Sequence, residues 1–81
     1  MNQMSDGAGK TAITARLARI EGQLRGVQRL IDEEVEVEQI AQQLTAARRA
    51  LDKAFFAFVG SLVRQGKLTP DELAALLTRF G

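Results

Sequence analysis

One stripe of apolar residues, too long for a small domain to cover, constrains this chain more than any other feature. Val37, Ile40, Leu44, Ala47, Leu51, Phe55, Phe58 and Leu62 recur at spacings of three and four, the period of a helix with one buried face. The stripe predicts a helix over about residues 35–65, which at about 1.5 Å per residue is roughly 45 Å long. A compact domain of 81 residues has a radius of gyration of only about 12 Å, hence a diameter near 30 Å. Such a helix outruns any core its own chain supplies. A second subunit has to cover the remainder, so self-association is expected.

Two further helices are legible. Ile13, Leu17, Ile20, Leu24, Val27 and Ile31 alternate spacings of four and three, the rhythm of a helix buried along a seam. This predicts a first helix over about 11–33, ending in the acidic run. Gly66 stands where the second helix should stop. Thr69 as N-cap, Pro70 at the first helical position and Glu72 completing a capping box predict a third helix over about 70–80. No alternating strand pattern and no repeat occurs. The fold expected is all-α, a single domain over 11–81 preceded by a mobile polar tail over 1–10. That tail has no apolar core and does not read as a signal peptide. Phe56, Val59 and Val63 lie beside the main stripe as a second apolar seam, to be covered either by the third helix or by another chain.

Composition removes most chemistry. With no Cys, His or Tyr, the chain has no thiolate, imidazole or phenol, and its acid–base candidates are carboxylates, Lys and hydroxyls. No phosphate-binding glycine loop or nucleophile elbow is present. An enzyme is not expected, and neither is a cofactor. A metal could be held only as an oxygen-ligated hard cation, and the acids Asp32, Glu33, Glu34, Glu36 and Glu38 lack the spacing and glycine of a calcium loop. No apolar run approaches the ~20 residues of a membrane span. The lack of cysteine fits a cytoplasmic protein.

The net charge of +1 says little, but its distribution says more. Residues 1–31 carry five Lys/Arg against two acids, 32–38 carry five acids and no base, and 39–68 carry five bases against one acid. Arg16, Arg19, Arg25 and Arg29 lie off the apolar seam of the first helix. Arg48, Arg49 and Lys53 lie at or beyond the edge of the second helix's stripe. A belt of Arg16, Arg19, Arg48, Arg49 and Lys53 would suit a phosphate backbone, and it would equally serve as ordinary solvated surface. Gly22 and Gly26 fall opposite the seam, where each costs roughly 0.8–1.0 kcal/mol relative to alanine. They permit either close approach of a charged partner or packing of a second chain.

The run Arg16-Leu17-Ala18-Arg19-Ile20-Glu21-Gly22-Gln23-Leu24-Arg25-Gly26-Val27-Gln28-Arg29, followed by acids and then Ala50-Leu51-Asp52-Lys53, resembles the CsoR/RcnR/FrmR family of small repressors that sense copper, nickel and cobalt, or formaldehyde. The resemblance covers roughly residues 13 to 66. It implies an antiparallel four-helix-bundle dimer, paired into a tetramer, that binds operator DNA through basic residues of its first two helices. On this chain the matching positions are Arg16 and Arg19, with Arg48, Arg49 and Lys53 as candidates from the second helix. The family's sensing cysteine falls at Val37, its histidine at Leu62 and the copper sensors' second cysteine at Gly66. None of these can ligate a metal or trap an aldehyde. Val37 of one chain is expected to meet Leu62 of another, within an interface that also uses Leu44, Leu51, Phe55 and Phe58.

The reading is a metal-independent, homotetrameric DNA-binding regulator whose partners are operator DNA and itself, with no membrane and an effector that is unknown. Its alternative is an interaction protein that keeps the scaffold and modulates a relative without binding DNA. A third reading, a carboxylate-based cation sensor, rests on residues 32–38.

Overall fold

A computed structural model describes residues 7–81, with the side chain of Ala8 left aside. Three helices follow one another: α1 (Gly7–Asp32), α2 (Val37–Arg64) and α3 (Pro70–Phe80). Among the described residues there is no strand. Helix α1 starts earlier than its apolar pattern does, and Gly7–Lys10 are helical rather than tail. Thr11 Oγ1 donates to the Gly7 carbonyl at 2.8 Å and Thr14 Oγ1 to that of Lys10 at 2.9 Å, so both hydroxyls find partners on the helix's own backbone. The remainder of the expected tail, 1–6, lies outside the described residues.

Helices α1 and α2 pack side by side in opposite directions. Ile13 and Leu17 lie beside Leu51, Ala54, Phe55 and Phe58, while Ile20 and Leu24 lie beside Leu44, Ala47 and Leu51. The shared seam repeats every seven residues. Ile13, Ile20 and Val27 of α1 are buried, as are Ala47, Ala54 and Ser61 of α2. The small residues on α2 admit the branched chains of α1, and Gln65 Nε2 donates to the buried Ser61 hydroxyl at 2.9 Å.

Both ends of α2's neighbourhood are closed by the same six-residue cap. At the end of α1, the Glu34 N–H donates to the Ile31 carbonyl and the Val35 N–H to that of Leu30. At the end of α2, the Gly66 N–H donates to Val63 and the Lys67 N–H to Leu62. This pattern is a Schellman cap, which puts one residue in the left-handed region. Gly66 adopts it at φ 67°, as glycine does freely, but the first cap forces Glu34 to φ 55°. Helix α3 begins with its capping box: Thr69 Oγ1 accepts from the Glu72 N–H at 3.1 Å, and the Thr69 N–H donates to Glu72 Oε1 at 2.9 Å.

The chain is flat. Its extents are 47 × 27 × 13 Å with a radius of gyration of 15.9 Å, well above the ~12 Å of a compact chain of this length. Its short axis approximates one helix with side chains, about 10–12 Å. A layer one helix thick has two open faces, and stable domains normally close such faces by stacking a second layer.

Candidate nucleic-acid interface

The two faces of the α1–α2 layer differ in chemistry. On one, Leu17, Leu24 and Ile31 of α1 and Leu44 and Leu51 of α2 remain exposed, Leu51 at 52% and Leu44 at 47%. Phe55 and Phe58 are half-buried along the same face. The first helix's apolar rhythm is thus split: alternate members turn inward to α2, and those between them face outward. The apolar cleft lined by Ile13, Leu17, Leu51, Ala54, Phe55 and Phe58 runs between the helices here.

The other face carries a depression of about 130 Å³ lined by Arg16, Arg19, Ile20, Gln23, Ala50 and Lys53. Three members of the basic belt read from the sequence converge there, two from α1 and one from α2. All three are exposed, and they form no ion pair among the described residues. Ala50 allows the depression because a larger side chain three residues before Lys53 would fill it. Arg49 sits nearby, one turn before Lys53, in a separate shallow groove with Glu38, Gln42 and Thr45.

Arg48 departs from the belt. It lines the apolar side with Ile20, Leu24, Leu44, Ala47 and Leu51. At about 100° per residue it lies roughly a quarter turn around α2 from Arg49, which brings it to the edge of the apolar groove. Its place at the rim of the apolar stripe matches the sequence reading, and the residue is exposed. Gln23 was missed because it is uncharged, though a signal existed: it stands seven residues after Arg16, on the same flank of α1.

The positions that correspond to the family's ligands do not converge. Val37 is 82% exposed, whereas Leu62 is 4% exposed and buried within its own chain. The expected contact between Val37 and a partner's Leu62 is one between chains; within a single chain Val37 is open and Leu62 is already buried. At this end of α2 the Lys67 N–H donates to the Leu62 carbonyl, and Leu76 of α3 is buried. Phe56 and Val63 of the second seam stay exposed while Val59 is buried, so α3 does not cover that seam as a whole. With Val37, Leu62 and Gly66 at the ligand positions and no Cys or His anywhere in the chain, the residues do not fit a thiolate- or imidazole-bound metal. The acidic run offers no substitute: among the described residues no group of three or more carboxylates could hold a metal ion.

Gly22 and Gly26 leave open space in this chain. A Cβ added at either would meet nothing within 4 Å, so no packing inside the subunit requires them. Among the described residues, no helix is long and apolar enough to cross a membrane.

The described residues thus form an all-helical layer with one apolar face and one basic depression. The sequence pattern of the metal-sensitive transcriptional repressors matches residues 9–74, and the chain belongs to that family. No curated protein and no solved structure matches the chain. The family is one of transcriptional regulators rather than enzymes.

Proposed function

We propose that this protein is a DNA-binding transcriptional repressor that acts as a homo-oligomer without the metal ligands of its family. The apolar face is covered by a second copy of the chain, and two such dimers form the DNA-bound species. The observation that carries the reading is the convergence of Arg16, Arg19 and Lys53, from two helices, on one depression opposite that apolar face. Stacking two layers by their apolar faces leaves both basic depressions outward, where duplex phosphates can reach them. Phosphate contacts of this kind position a protein on DNA and dominate its affinity.

The test is a salt titration of binding to duplex DNA containing the gene's own upstream region. Each neutralised phosphate contributes a slope of about −0.9 in log affinity against log salt. The wild-type protein should lose affinity steeply between low and moderate salt, and Arg16→Ala should weaken binding and reduce the slope by about one unit per lost contact. Adding Cu²⁺, Ni²⁺ or Co²⁺ should leave the curve unchanged. Affinity that is flat with salt contradicts the DNA reading, and release by one of these metals contradicts metal independence.

A further inference from the structure

We infer that the depression on the basic face seats a single phosphate group, with Gln23 as its uncharged hydrogen-bond donor; this rests on the DNA-binding reading above. The depression is open to solvent, with a volume of about 130 Å³, well above the ~10–15 Å³ that one water needs on the same measure, so a tetrahedral oxyanion can enter it. The walls divide the work. Arg16 and Arg19 from α1 and Lys53 from α2 bring positive charge from both sides, and Ala50 leaves the opening between them.

Gln23 is the remaining polar side chain of the lining. The residue is exposed and its amide has no hydrogen-bond partner among the described residues. Two N–H groups on a neutral side chain complement the three cations. The cations draw in the anion over distance, and the amide fixes the orientation of one phosphate oxygen at short range. Replacing a neutral donor removes affinity without removing a released counterion, so its thermodynamic signature differs from that of the arginines.

The experiment uses the full chain and two probes: a 30-base-pair duplex of random sequence, and inorganic tripolyphosphate. Gln23→Ala lies on an exposed helical position and should fold as the parent does, which helical circular dichroism checks. It should bind the duplex about tenfold more weakly at every salt concentration, with the salt slope unchanged. Lys53→Ala should instead reduce the slope by about one. In the wild type, tripolyphosphate should move the NMR signals of the Gln23 side-chain amide and leave those of Gln42 in place. If the duplex binds normally to Gln23→Ala and the Gln23 amide is silent to tripolyphosphate, the phosphate seat is overturned while the DNA reading stands. If tripolyphosphate moves the amide but no duplex binds, the seat is upheld and the DNA reading falls.

Discussion

The two faces of the α1–α2 layer are built from the same two helices, yet they are specified in different ways. The apolar face is a matter of period. Leu17, Leu24 and Ile31 repeat every seven residues, as do Leu44, Leu51 and Phe58, and any helix with that spacing must present a ridge. The basic face is a matter of register between helices: Arg16, Arg19 and Gln23 gain meaning only when Ala50 and Lys53 come alongside. Period is a property of one segment, whereas register depends on the turn that joins two.

The largest expected effect comes from breaking the apolar face. Leu51→Glu puts a carboxylate in the middle of the exposed ridge, where covering it with another chain would cost several kcal/mol. The oligomer should dissociate toward the 8.9 kDa chain, seen in sedimentation velocity, and helicity should fall with it. The same substitution at Gln28, exposed on α1 beyond the ridge, should leave the mass unchanged.

A second pair of variants perturbs the caps that hold the layer's register. Glu34→Gly removes the left-handed strain and should raise stability by about 1 kcal/mol. Gly66→Ala introduces similar strain and should lower it by about 1 kcal/mol. For a domain of this size, each change corresponds to a shift of roughly 4–8 °C in melting temperature, measured calorimetrically at fixed protein concentration. Equal and small responses of both caps would mean that the two turns are not the matched pair their hydrogen bonds describe.

Gly22→Ala sharpens the comparison from the outer side of α1. A Cβ there meets nothing, so the gain in helix propensity, about 0.8–1.0 kcal/mol, should appear in full in chemical denaturation. A loss of stability would show that another chain packs on this glycine.

The smallest effect concerns α3, which belongs to neither face. Hydrogen bonds from the Thr69 backbone and then its side chain hold the Glu72 carboxyl below the ordinary glutamate value of 4.5. A depressed carboxyl contributes its stability above the unfolded pKa and loses it as pH falls through the folded one. Acidification below about pH 4.5 should therefore lower the amide protection factors, exchange rates corrected for the intrinsic effect of pH, at the start of α3 relative to those of the α1–α2 layer. Glu72→Gln should abolish that pH dependence.

These contrasts explain how much could be read from the chain alone. The three helices were legible because apolar spacing and the Thr69–Pro70–Glu72 cap are local signals. The open ridge followed from the length of the second stripe. The convergence of Arg16, Arg19 and Lys53 was visible only as a loose belt, because side-by-side placement is long-range. Arg48 lines the apolar side rather than the depression, since a step of one residue on a helix is a large rotation. Leu62 shares the wheel position of Leu44, yet one is buried and the other exposed, a difference that the wheel of a single helix does not contain. Glu34 gave no warning at all, as its left-handed backbone occupies a position where glycine is the usual signal.

Mass in dilute solution at physiological salt, measured by sedimentation equilibrium on the unmodified chain, tests the central claim most directly. An integral multiple of 8.9 kDa, persisting into the low-micromolar range, is what a one-helix-thick layer with an open apolar ridge requires. A well-folded single chain at that concentration would contradict it.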